Sequence, residues 1–319
     1  MTLSPAFRNF LFKSLSVSPW PVVRRAGASA HDLFVICLHR VTNEPYPYWP
    51  AISPQIFDEF LTFAKRSLDV VLFKDLDAER VTKKPKLILS FDDGFHDFSE
   101  FVLPILGKHG LKANLNVIGE CVLSGLRTWN IQIYDFLTHA SENQLRGVEF
   151  PLLGRMRSNL SESEKHTFGA KLSRALKVLP HAERLRLLPP LAPVLNELPE
   201  KHRTRLLSRQ DILQAASEGN EIGSHSHSHD SMEFQSMEYF REDFEQSKKL
   251  FSNTLNLPLN VYAFPNGSGT EAQSAFLFSQ GIKHVLRTDD RRSQRGEKIH
   301  PRLYMRGEST AELKYRLLR

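Results

Sequence analysis

Along this chain, short continuous apolar runs alternate with longer stretches in which apolar residues return every three or four positions, and the two patterns predict strands and helices in turn. LFVICL at 33–38 reads as a buried strand, and PQIFDEFLTFAKR at 54–66, with Ser53 as its cap, reads as an amphipathic helix. DVVLF at 69–73 and KLILSF at 86–91 follow as strands. PILGKHG at 104–110 is the end of a helix closed by Gly110, and KANLNVIG at 112–119 is the strand after it. The same order resumes at Ser208 with a helix, SRQDILQAASEGN, and a strand, EIGSH. A helix over 239–255, strand VYAFP at 261–265, helix AQSAFLFSQG at 272–281 and strand HVLRT at 284–288 complete it. Repetition of helix, short loop and strand is the pattern of a parallel α/β sheet or barrel.

Between about residues 126 and 207 the alternation stops. This stretch carries long charged-apolar helical patterns, the prolines of LPPLAPVLNELP and no convincing strand. We expect a mostly helical insertion that caps the barrel rim, borders a cleft and could be trimmed without loss of the fold. The domain plan is an N-terminal arm over 1–30 and one α/β domain over 31–319, interrupted by the 126–207 insertion. With 319 residues and 41% hydrophobic content, the chain can bury a core of that size.

Charge and cysteine usage narrow the setting. The formal charge of +6 is spread along the chain rather than gathered into an arm, which gives no support to nucleic-acid binding. Two cysteines, Cys37 and Cys121, are too few for a disulfide framework and fit a reducing compartment. The start of the chain, MTLSPAFRNFLFKSLSVSPWPVVRRAG, has no uninterrupted apolar run of the length a secretory core or membrane span needs, so the expectation is a cytoplasmic protein. Phe7, Phe10, Leu11, Phe12 and Leu15 are mixed with Arg8 and Lys13, which makes residues 3–25 a basic amphipathic segment. Such a segment suits either the inner face of a membrane or the protein's own body. Nothing in the pattern bears on oligomeric state.

Two stretches concentrate chemistry. In LSFDDGFHDF (89–98), Asp92 and Asp93 stand at the C-terminal end of a predicted strand, the edge at which α/β sheets and barrels bind ligands. In an extended segment neighbouring side chains point to opposite sides, so the two acids would face different partners. Taken alone, the stretch also reads as a solvated turn with Asp capping the next helix. EIGSHSHSHD (221–230) holds His225, His227 and His229. Neutral imidazole is the commonest metal ligand, and two histidines from one loop with one carboxylate from another strand end would make a three-ligand set with a position left for water. A pH-sensitive or fortuitous cluster is the alternative.

The ordered combination of SFDDG, GSHSHSH and FPNG on this α/β pattern, with CLHRV at 37–41 and SPQIFDEFL, resembles the polysaccharide deacetylases of the NodB-homology type, carbohydrate esterase family 4. The likeness covers roughly residues 33–119 and 208–310. It implies a distorted (β/α)7 barrel and metal-dependent hydrolysis of an N-acetyl or other acyl group on a saccharide or lipid-linked glycan, the bond being a carbon–nitrogen amide outside any peptide. By the same resemblance Asp92 would be the general base, and Asp93, His225 and His229 would hold a divalent ion, zinc first and cobalt, nickel or manganese after it. His227 falls at a variable position and has no ligand role. Asn266, flanked by Pro265 and Gly267, would offer a backbone N–H to the oxyanion, and His39 would face the substrate. Two departures stand out. Ala263 replaces a frequent arginine, so the charge orienting Asp92 is assigned to Arg302 in IHPRLYMRG. No leucine-x-leucine-histidine motif is present, so the leaving-group acid falls to His300 by position. These departures keep open a non-catalytic saccharide-binding relative.

Overall fold

The apolar runs DLFVICL and KLILSF pair side by side in parallel, from Leu33 opposite Lys86 to Leu38 opposite Phe91, and are buried along nearly their whole length. Burial on both faces is what a parallel strand under covering helices requires, which is why these runs do not alternate with polar residues. In this computed structural model the described residues are 32–318 without 45, 47, 49, 50, 77–83, 158, 189, 190, 196, 290 and 295, together with residues 10, 12 and 14. Their strands are β1 (Asp32–Leu38), β2 (Asp69–Val70), β3 (Lys86–Phe91), β4 (Asn114–Val117), β5 (Glu149–Phe150), β6 (Gly154–Arg155), β7 (Glu221–Ser224), β8 (Val261–Ala263), β9 (His284–Arg287), β10 (Ser293–Gln294), β11 (Ile299–Pro301) and β12 (Leu303–Tyr304).

Strands β1, β3, β4, β7, β8, β9 and β11 run parallel in that order, and β10 adds an antiparallel edge to β1. The sheet nearly closes on itself: β11 pairs with β9, β12 pairs with β1, and Arg302 is the one residue between them. The seam is pinned by side chains as well, with His284 on β9, His300 on β11 and Ser293 on β10 in one chain of contacts. This is a distorted barrel, as the family resemblance implies. The helix Pro54–Ser67 begins at Ser53, whose Oγ accepts the Ile56 N–H, and Gly110 ends the helix Leu103–His109 at φ 65°.

Some elements differ from their sequence reading. DVVLF yields only the two-residue β2, because the N–H groups of Phe73 and Lys74 turn to the Glu221 carboxylate at 2.8 and 3.1 Å and leave the sheet. β10, β11 and β12 were not expected; runs of two or three residues are too short for periodicity to register. The 126–207 segment is built mainly of the helices Trp129–His139, Glu142–Gly147, Glu162–Lys177, His181–Leu187 and Ala192–Leu195, but it also holds the small β5–β6 hairpin. It has a core of its own around Ile133, Phe136, Leu172 and Leu176, separate from the barrel core.

Most of the 1–30 arm, and with it the membrane contact expected over 3–25, lies outside the described residues. Of the described part, Phe10 is exposed, whereas Phe12 is buried with its ring 5.3 Å from that of Tyr315 in the C-terminal helix Thr310–Leu318. Among the described residues no helix is long and apolar enough to cross a membrane.

Gly223 shows how tightly the barrel wall is packed beside the loop that follows β7. A Cβ there would overlap Asn116 Oδ1 and sit 3.1 Å from Val261, so Gly223→Ala is expected to cost about 1–3 kcal/mol of stability. A urea midpoint equal to that of the wild type would contradict this.

Candidate functional site

Two loops meet at the C-terminal ends of β3 and β7. The chain leaves β3 through Asp92 and turns at once, with φ of 72° at both Asp93 and Gly94. The two carboxylates do face different partners, but a left-handed turn separates them rather than the strand alternation expected from the sequence. The loop after β7 is also turned, with φ of 62° at Ser226 and 60° at His229. Its backbone is fastened on several sides. Asp243 accepts the N–H groups of His227 and Ser228 at 3.0 and 2.9 Å, Ser226 Oγ accepts that of His229, and Gly119 N–H donates to the Ser226 carbonyl.

This brings Asp93, His225 and His229 together. Asp93 Oδ1 lies 3.4 Å from His225 Nε2 and 3.1 Å from His229 Nε2, and all three side chains are buried. A carbonyl can only accept, so the 2.9 Å contact of His225 Nδ1 with the Ala263 carbonyl places the ring's proton on Nδ1 and leaves a lone pair on Nε2. Asp93 Oδ1 is buried without a hydrogen-bond donor of its own. Burial would raise its pKa, but the neighbouring histidines outweigh it and hold the carboxyl well below the usual range. An orphaned buried carboxylate oxygen facing the Nε2 atoms of two imidazoles fits a divalent cation. Cys37, His39 and Asp92 form a second convergent group. It fits a cation poorly, since burial keeps the Cys37 thiol protonated and Asp92 is already engaged.

Asp92 is held by Arg302, a residue 1% exposed. Its Oδ1 accepts from Arg302 Nη1 at 2.7 Å and Asn116 Nδ2 at 2.8 Å, and its Oδ2 lies 2.7 Å from Arg302 Nη2. Burial pushes this carboxyl up, yet the guanidinium and His225 prevail and hold it well below the ordinary range. Oδ2 also accepts from the Cys37 thiol at 3.5 Å and sits 3.8 Å from His225 Nε2, on the side of the Asp93–histidine set.

A cavity of about 310 Å³ opens over these groups, lined by His39, Tyr48, Asp92, Asp93, Tyr134, Lys177, His225, His229, Asn266, Gly267, Thr288 and Tyr304. Similar barrels are found in Streptococcus pyogenes deacetylase PplD in complex with acetate (14% identity, 90% of this chain and 98% of that one, TM-score 0.59) and in IcaB from Ammonifex degensii (17% identity, 91% and 98%, TM-score 0.57). A third is the de-N-acetylase from Aggregatibacter actinomycetemcomitans (13% identity, 87% and 96%, TM-score 0.55). No curated protein matches the sequence. Residues 194–285 match the family model described as polysaccharide deacetylase, which takes in the histidine loop and FPNG. This chain is related to the polysaccharide deacetylases.

The deacetylase residues named from the sequence divide into those the structure gathers and one it does not. Asp92, Asp93, His225, His229, His39, Asn266 and Gly267 share the cavity wall, and Arg302 lies beneath it on Asp92. Pro265 is buried behind Asn266. Gly267 has φ of 71° and a Cβ would sit 2.5 Å from that of Thr288, so only glycine fits there. His300 is elsewhere. It is fully buried at the barrel seam, with Nε2 3.1 Å from His284 Nδ1 and Nδ1 3.0 Å from Ser293 Oγ, and burial pushes its pKa down to about 3. That position corrects its assignment as the leaving-group acid, because His284 and Ser293 hold the ring at the seam and it does not line the cavity. His227 stands apart from the ligand set, beside Gly119.

Several contributors were not singled out in the sequence. Asn116 binds Asp92, and the alternating NLN inside a buried strand was a usable signal for polar side chains turned into a barrel. Tyr134 and Lys177 come from the 126–207 insertion, where no motif marked them. Arg184, from the same insertion, makes a close ion pair with Asp230, the residue after His229, and His181 and Tyr239 join it at 2.7 Å each. The insertion therefore supplies side chains to the cavity wall and an ion pair next to the histidine loop.

Two outcomes follow for these ion pairs. Arg302→Met should cost roughly 3–5 kcal/mol because it strands a buried carboxylate, and Asp92→Asn in the same chain should recover part of that loss; additive losses in a double-mutant cycle would deny the coupling. Arg184→Met should loosen the histidine loop and weaken binding of a divalent ion measured by calorimetry, and unaltered binding would show that the loop does not depend on Asp230.

Proposed function

We propose that this chain is a metal-dependent hydrolase that removes an N-acetyl or other acyl group from a saccharide. The observation that carries the reading is the meeting, in one cavity, of the Asp93–His225–His229 set with an Arg-bound Asp92, on a chain related to the polysaccharide deacetylases. That two of the similar barrels belong to proteins described as a deacetylase and a de-N-acetylase supports acyl removal as the reaction.

Asp93, His225 and His229 would hold the ion, with zinc the first candidate for two nitrogens and one carboxylate. When bound, such an ion supplies Lewis acidity to an acyl oxygen and to water. Asp92 is the residue placed to take a proton from the attacking water through Oδ2, the oxygen nearer His225. Arg302 and Asn116 fix that carboxylate in its ionised form and its orientation. The backbone N–H of Asn266, on the cavity wall, is assigned to the oxyanion. His39 stands over the Asp93 carboxylate, its Nε2 4.0 Å from Oδ2, where it meets substrate.

Arg302 answers the loss of charge at Ala263, which weakens the reading of a binding protein without turnover. The position of His300 keeps that reading in view as the alternative.

The test is metal content with product analysis on a panel of acylated saccharides. Asp93→Ala, His225→Ala and His229→Ala are each expected to lose the ion and acyl release together, while Asp92→Asn keeps the ion and loses about 10²–10⁴-fold in turnover. Stoichiometric metal with saccharide binding but no acyl release from any member of the panel would favour the binding protein.

A further inference from the structure

If the chain hydrolyses an amide, one requirement is unmet by the residues assigned so far. The leaving nitrogen must gain a proton as its bond to carbon breaks, because an amide anion is too basic to depart unaided. His300 does not reach the cavity. His39 does, but burial lowers its pKa and leaves the ring neutral, and it is engaged over Asp93. Burial raises the phenol pKa of Tyr48, Tyr134 and Tyr304 and makes each a weaker acid.

Lys177 remains. It ends the helix Glu162–Lys177, is half-buried, and lines the same cavity as Asp92, Asp93, His225 and His229. Its Nζ donates to Asn266 Oδ1 at 2.6 Å, and Asn266 Nδ2 donates to Ser231 Oγ at 2.9 Å, so the ammonium is fixed against the FPNG loop rather than left to solvent. On the reading above, we propose that Lys177 is the general acid of the reaction: its ammonium gives a proton to the amide nitrogen as the carbon–nitrogen bond breaks. The bonding pair leaves with nitrogen as a neutral amine, and the acyl carbon keeps the hydroxyl of the added water as a carboxylic acid. The proton taken from water by Asp92 restores the ammonium directly or through solvent, so the net reaction consumes one water per amide. Burial favours the neutral amine at Lys177 while the Asp93 carboxylate opposes it.

The decisive comparison is between an N-acetylated saccharide that the wild-type protein turns over and p-nitrophenyl acetate, whose phenolate leaves without a proton. The full-length, metal-loaded protein is used, and bound metal and thermal midpoint are measured alongside. Lys177→Met and Lys177→Arg are each expected to lower kcat on the amide by about 10²–10⁴-fold with KM nearly unchanged, to lower aryl-ester hydrolysis far less, and to keep the metal. Arginine holds the charge but does not give up its proton. Recovery of amide turnover by Lys177→Arg would overturn the proposal in favour of a purely electrostatic role, and equal losses on both substrates would overturn it in favour of an oxyanion contact. A change confined to KM would make Lys177 a binding residue. If Lys177→Met does not fold, the arginine variant carries the test. A wild-type protein that binds metal but cleaves no amide overturns the deacetylase reading, and this proposal with it.

Discussion

The buried pair of Arg302 and Asp92 is the contact on which both the barrel and the site depend. Arg302 stands between β11, which pairs with β9, and β12, which pairs with β1, so it occupies the point at which the chain crosses from one edge of the sheet to the other. Its guanidinium reaches across to the end of β3 and takes both oxygens of Asp92. Neither charge is tolerable alone at that depth, whereas together they form a two-point contact with fixed geometry. Closure of the barrel and orientation of Asp92 are thus one event. A shift of the seam would carry the carboxylate with it.

The same logic explains why the charge can come from residue 302 although position 263 holds alanine. What Asp92 requires is a cation below it in the barrel, not a cation from a given strand. Ala263 instead offers its backbone carbonyl to His225, which fixes the tautomer that leaves Nε2 available.

The parts of this arrangement that were legible in the sequence are those that local physics encodes. Long apolar runs gave β1 and β3, serine caps and Gly110 gave helix ends, and the acid pair and histidine loop fell at strand ends, where parallel barrels place their chemistry. Arg302 could only be nominated, because its partner lies 210 positions away. His300 was misplaced for a related reason. Nearness to the end of a short strand says nothing about which side of the wall a ring occupies, and His284 and Ser293 hold this one at the seam. Tyr134 and Lys177 were beyond reach altogether, since their place on the cavity wall follows from how a separate helical core docks on the rim.

That docking changes what the insertion does. A cap resting on the rim would act on substrate alone, but this one ties Arg184 to the residue after His229 and Lys177 to the FPNG loop. The division of labour over the cavity then follows from charge. Arg302 and Asn116 stabilise Asp92 as a carboxylate, and a carboxylate held well below its ordinary range is a weak base. In the proposed reaction such a base would take a proton only from water made acidic by a bound cation, and Asp93, His225 and His229, on the other side of Oδ2, are the groups that would hold one. The barrel side fixes the position and charge of Asp92, the histidine loop sets His225 and His229 against Asp93, and the insertion reaches over both.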